Sequence, residues 1–231
     1  AQANQSPERS WSLPNGTVLV QTLSLPRPGT ASGAPRRIET RILSQQGGQW
    51  SGYSYRWSDD QSDAELVSAA GEDRDYRVSD PSAPAGVSSQ PWRFPSRAEC
   101  LVCHSRAAGF VLGFSTLQLD RDDQLKSWER LGLLSQSAPR PPEGARLVDP
   151  HDTTAPLEVR ARSYLHVNCA GCHIQAGGGN ARMQLEITTP REKMELVGAR
   201  PQHDSFGLKD PMLVSPGRPD SSVLLHRLSR R

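Results

Sequence analysis

Cys100-Leu101-Val102-Cys103-His104 and Cys169-Ala170-Gly171-Cys172-His173 are two copies of one frame, C-x-x-C-H, and together they use all four cysteines of the chain. The frame has the spacing of a c-type haem attachment motif. Its two thiols form thioethers to the vinyl groups of one porphyrin. The residue that follows, His104 or His173, presents an imidazole to the iron as proximal ligand. A lone C-x-x-C is ambiguous between a redox dithiol, half a zinc site and a disulfide. A thioredoxin-like dithiol needs a βαβ pattern around the motif, and none is found. A Cys₄ zinc site gives the two trailing histidines no role. The reading that uses every residue of both frames is two covalent c-type haems, each with one iron. Ala107-Ala108-Gly109 and Gly177-Gly178-Gly179 follow the frames with small residues, suited to backbone passing close to a flat macrocycle.

Composition fits that reading. The 231-residue chain is 35% hydrophobic, with a mean hydropathy of −0.60. That is lean for a core built from side chains alone, and two porphyrins would add apolar surface. The net charge of +2 is spread along the chain, which argues against a nucleic-acid binder with a clustered basic patch. No apolar run reaches the length of a membrane span. The start Ala1-Gln2-Ala3-Asn4 suits a mature terminus left after cleavage of a leader, and equally the edge of a domain excised from a longer chain. Asn15-Gly16-Thr17 matches a glycosylation sequon and reads as a turn.

Three segments are expected. Residues 1–93 read as β-rich. Val18 to Leu25 is a strand, Ile38, Thr40 and Ile42 alternate with Arg37, Glu39 and Arg41, and Tyr53, Tyr55 and Trp57 alternate on the next strand. Ala64 to Val67 and Tyr76 to Val78 complete an antiparallel sheet of roughly five strands. Residues 94–148 hold the first haem frame, a short helix over 97–104, an amphipathic helix over 122–134 and a Pro-rich linker from Ser135 to Gly144. Residues 149–231 hold the second frame. A helix from Pro156, with Leu157, Ala161, Tyr164 and Leu165 as its apolar stripe, runs into Cys169, and a capped helix with Val223, Leu224 and Leu228 closes the chain. The fold class expected is α+β: an antiparallel β-rich N-terminal region followed by a mainly helical dihaem region. The C-terminal part of that region would be a small cytochrome-c-like domain whose first and last helices cross.

The second axial position decides potential and reactivity. Met212, in a Pro-containing loop before the terminal helix, is the first distal candidate for the second haem, with Met183 next and Met194 the remaining methionine. His166, three residues before Cys169, is the distal candidate for the first iron. His151, His203 and His226 also lie outside the frames, and His203 and His226 read as solvated. A ligand from a neighbouring subunit is the alternative.

The run Phe94-Pro95-Ser96-Arg97-Ala98-Glu99-Cys100-Leu101-Val102-Cys103-His104, with Val111-Leu112-Gly113-Phe114 and Gln118-Leu119-Asp120-Arg121, resembles a family of bacterial dihaem c-type cytochromes. So does Arg160-Ala161-Arg162-Ser163-Tyr164-Leu165-His166-Val167-Asn168-Cys169, followed by Gly177-Gly178-Gly179-Asn180, Ala199-Arg200-Pro201, Phe206-Gly207, Ser215-Pro216-Gly217 and Ser222-Val223-Leu224. The resemblance implies haem attachment at Cys100, Cys103, Cys169 and Cys172, with His104 and His173 on the irons. It also implies an exported electron carrier, periplasmic or extracellular, working with redox partner proteins. One departure stands out. Members of this kind continue past the terminal helix into an Arg-Met-Pro segment suited to axial ligation, whereas this sequence stops at Arg230-Arg231. Either that segment lies outside this sequence or the ligand comes from elsewhere.

Electron transfer is the function expected. A dihaem peroxidase-like enzyme with one open haem is the alternative, although no acid–base motif commits to it. A homo-oligomer or filament, built through exposed β edges, would extend an electron path between subunits.

Overall fold

The computed structural model describes residues 9–28, 35–134, 137–175 and 177–230. The expected mature terminus at Ala1 to Asn4, Ser135 and Gln136 of the expected linker, and Arg231 lie outside the described residues. The chain divides into two compact units, residues 13–105 and residues 1–12 with 106–231.

The first unit is built on strands. β1 (Val18–Leu25), β2 (Arg36–Gln46), β3 (Gln49–Trp57) and β4 (Ala64–Leu66) form an antiparallel sheet in sequence order. The turn between β2 and β3 is Gly47-Gly48, with φ of 56° and 76°, closing on the pair Gln46↔Gln49. Two consecutive positive φ values match the right-handed twist of the flanking strands, and glycine adopts them without strain. β5 (Glu72–Ser79) and β6 (Val87–Phe94) form a separate two-stranded antiparallel ribbon. One apolar core joins the two: Ile38 from β2, Val67, Tyr76 from β5 and Phe94 from β6 are buried together, with Trp92 and Leu25 against them.

The single five-stranded sheet expected is therefore two sheets with six strands among the described residues. The strand missed is β6, whose Ser-Ser-Gln-Pro sequence reads as a linker. Pro91 is tolerated because the ribbon has only two strands, so a residue without an N–H can face the unpaired side. The ladder continues past it, with Asp75 opposite Pro91.

From Phe94 the chain enters α1 (Arg97–Cys103). Ser96 caps it, accepting from the Glu99 N–H, and Glu99 accepts from the Ser96 N–H in return. This reciprocal box satisfies two donors that a helix start leaves open. α1 rests on β3, with the Arg97 guanidinium 4.6 Å from the centre of the Tyr53 ring.

The second unit has α2 (Thr116–Leu119), α3 (Gln124–Arg130), α4 (Leu157–Cys169), α5 (Val223–Leu228) and two short 3₁₀ turns. Trp11, Leu119 and Leu125 form one buried cluster, with Phe114 and Trp128 packed on it. Another gathers around the second cysteine frame: Leu165, Ala170, Ile174, Met183, Leu185, Met194 and Leu196.

The mainly helical dihaem region is overturned. The protein is β-rich, and its five helices among the described residues are short, the longest being the 13-residue α4. The small cytochrome-c-like domain falls with it, since the closing helix α5 has six residues, too short to serve as one of two crossing helices. Pro139, Pro141, Pro142, Pro150, Pro190, Pro201, Pro211 and Pro216 break up the connections, removing backbone donors wherever a helix would have to continue. The expected helix over 122–134 shrinks to Gln124–Arg130 because Asp122 and Asp123 take positive φ and Gly132 ends it.

The apolar stripe expected on α4 is also corrected. Leu157 is 74% exposed, and Ala161 and Tyr164 also face outward. The buried side carries Ser163, Leu165 and His166. Hydrogen bonds to the flanking loops decide which side is buried. The Ser163 hydroxyl accepts from the Val148 N–H, the Arg162 guanidinium donates to the Ile187 and Thr189 carbonyls, and His166 accepts from the Ile187 N–H. No helix among the described residues is long and apolar enough to cross a membrane.

Candidate haem-binding sites

The first frame lies on α1 and the residue after it. The His104 N–H donates to the Cys100 carbonyl at 3.0 Å, and His104, with ψ of 56°, ends the helix. Cys100 and Cys103, three apart on α1, lie toward one side of it. Cys103 is exposed, and between the cysteines Leu101 and Val102 are exposed too, Val102 at 72%. Apolar surface beside reactive thiols is what a porphyrin would cover.

Cys100 is fixed from below. A Cβ placed on Gly52 of β3 would lie 2.7 Å from the Cys100 Cβ and 2.9 Å from its Sγ. Only a residue without a side chain lets α1 settle this close to the strand. Burial pushes the Cys100 thiol's pKa up.

The second frame ends α4. The Cys172 and His173 N–H groups both donate to the Cys169 carbonyl, at 3.1 and 2.9 Å. The chain then folds back over the histidine. Gly179 N–H donates to the Cys172 carbonyl, and Leu185 N–H to the His173 carbonyl, each at 2.9 Å. A Cβ on Gly179 would lie 2.7 Å from His173 Nδ1 and 2.8 Å from the Cys172 oxygen, and one on Gly177 would lie 2.5 Å from that oxygen. The glycine run thus lies close to His173 and to Cys172 of the same frame.

His173 Nδ1 is buried with no hydrogen-bond partner among the described residues. Burial lowers the imidazole's pKa, a hydrogen bond with the Ala181 backbone acts in the opposite sense, and Arg227 adds to the lowering. Burial thus favours the neutral ring, the form in which imidazole binds iron. Burial also raises the Cys169 thiol's pKa, with Cys172 adding to it. Redox-active dithiols depend on a depressed thiol pKa, and both shifts resolved here go the other way.

Among the described residues no three His, Cys, Asp or Glu side chains gather to hold a metal ion. A haem iron takes four nitrogens from porphyrin and asks the protein for one or two ligands, so haem attachment does not require such a cluster. Here Cys100, Cys103 and His104 would hold one group, and Cys169, Cys172 and His173 the other.

The distal candidates occupy different settings. Met183 and Met194 are buried in the cluster that also takes in Cys169 and Ala170. Met212 is half-buried on an extended segment bridged to Ser222, its N–H donating to the Ser221 carbonyl. His166 is 5% exposed, and its Nδ1 accepts from the Ile187 N–H at 3.2 Å. In the neutral ring that bond places the proton on Nε2, so ligation through Nε2 would require the bond to break. His203 is exposed and paired with the Asn180 carbonyl, and His151 is exposed. His226, expected to be solvated, is half-buried with its ring 5.0 Å from that of Phe206.

Sequence reasoning missed Gly52 and a buried charge network in the same sheet. Glu39, expected on the polar side of β2, is 0% exposed. Strict alternation of Ile with charged residues hid the fact that β2 is covered on both faces there. No protein-family model, no curated protein and no solved structure matches this chain.

Proposed function

We propose that this protein is an exported dihaem c-type cytochrome that transfers electrons through two covalently bound haems, in the periplasm or outside the cell, between redox partner proteins. The term rests on haem attachment, since the fold is β-rich. The observation that supports the reading is the same at both frames: the backbone N–H of the histidine donates to the carbonyl of the first cysteine, His104 to Cys100 and His173 to Cys169, so each C-x-x-C-H run is one helical turn. The bound haems would supply one-electron redox chemistry. The chain's own part is to hold and orient them. Gly52 lets Cys100 lie on β3, and Gly179 leaves room for the His173 ring. Burial favours the neutral form of His173.

Full-length protein matured with covalent haem, titrated with a one-electron mediator under optical detection, tests this. Two reversible one-electron waves with low-spin spectra are expected. Rapid peroxide turnover with a high-spin iron would favour the peroxidase-like alternative instead.

A further inference from the structure

Glu39 is the one carboxylate in the buried class among the described residues. It accepts hydrogen bonds from Arg41 Nε at 2.9 Å and Arg41 Nη2 at 3.0 Å, from Ser54 Oγ at 2.7 Å and from Trp92 Nε1 at 3.0 Å. The Glu39 side chain is 0% exposed and that of Arg41 is 43% exposed, and a charge buried in such a pair is a weak source of stability.

Its position suggests another reason. Arg41 pairs across the sheet with Ser54, and Leu43 with Gly52. Residues two apart share a sheet face, so Glu39, Arg41 and Leu43 lie on the face of Gly52 and Ser54, the face that receives Cys100. Ser54 is two residues from Gly52, about 7 Å along the strand. A guanidinium near a haem favours the reduced iron, which carries one less positive charge, and a carboxylate favours the oxidised iron.

We propose that the Glu39–Arg41 pair tunes the reduction potential of the haem attached at Cys100 and Cys103, with Arg41 raising it and Glu39 limiting the rise. The proposal rests on the haem reading above and adds a role for residues outside both C-x-x-C-H frames.

The test is a spectroelectrochemical titration of the full-length dihaem protein and its variants, with the mediator supplying one electron to each ferric haem. C100A/C103A removes the first haem and identifies its wave. R41Q is expected to move that wave to lower potential, R41K to leave it near the wild-type value, and E39Q to move it higher. E39Q/R41Q should fall between the two single variants. The other wave should stay fixed throughout. If E39Q does not fold, the contrast between R41Q and R41K decides. Variants that carry two haems with the first wave unmoved, or with both waves moved equally, overturn this proposal alone. A wild-type chain without haem overturns the functional reading instead.

Discussion

Gly52 of β3 lies directly beneath Cys100 of α1, so close that a single added carbon would sit 2.7 Å from the cysteine Cβ. A strand in the middle of a four-stranded sheet thereby positions a thiol on a helix 48 residues later in the chain. This contact ties the β-rich unit to the chemistry of the first frame.

Substituting Gly52→Ala should push α1 away from β3 and cost about 1–3 kcal/mol, as overpacking of close contacts does. Haem occupancy at the first frame should fall while the second keeps its haem. Peptide mass mapping of the two frames, with thermal unfolding of the same sample, measures both effects. Full occupancy at Cys100 with unchanged stability would contradict the packing argument.

Gly179→Ala should act on the second haem. The new methyl group would meet His173 Nδ1 and the Cys172 carbonyl, forcing the ring or the loop to move. The expected result is weakened proximal ligation, seen as a new high-spin component in the paramagnetic resonance spectrum, with one low-spin haem retained. A spectrum identical to wild type would show that His173 does not depend on this contact.

His166→Ala should destabilise the second unit by about 2–4 kcal/mol, through a buried void and an Ile187 N–H left without its acceptor. Because Nδ1 is engaged with that N–H, the low-spin signals of both haems should persist. Loss of one low-spin signal would instead identify His166 as an axial ligand.

Acid should loosen the start of α1. The Arg93 guanidinium, then the Ser96 N–H and hydroxyl, hold the Glu99 carboxyl at about 2, below its ordinary 4.5. A depressed folded pKa means that the stabilisation is complete above pH 4.5, declines as pH falls and is gone below about 2. In denaturant titrations across that range, E99Q should show a shallower loss of stability than wild type. Parallel pH profiles for the two proteins would remove Glu99 from the account.

Both C-x-x-C-H frames were legible because residue type and spacing within five positions are a local signal. Strands β1, β2 and β3 were legible because alternation and the Gly47-Gly48 turn are local signals. β6 was hidden by its polar residues and Pro91, which a two-stranded ribbon accepts. The buried side of α4 was hidden because it is chosen by hydrogen bonds from Ser163, Arg162 and His166 to loops distant in sequence. Glu39 read as surface because its partners, Ser54 and Trp92, come from other strands. Gly52 looked like an ordinary strand glycine until α1 was seen lying on it.

The most direct test of the central claim is the intact mass, under denaturing conditions, of the full-length chain matured in an oxidising compartment with haem available. The account predicts a polypeptide carrying two covalent haems, one lost in C100A/C103A and the other in C169A/C172A. A bare polypeptide, or one holding only zinc before denaturation, would contradict it.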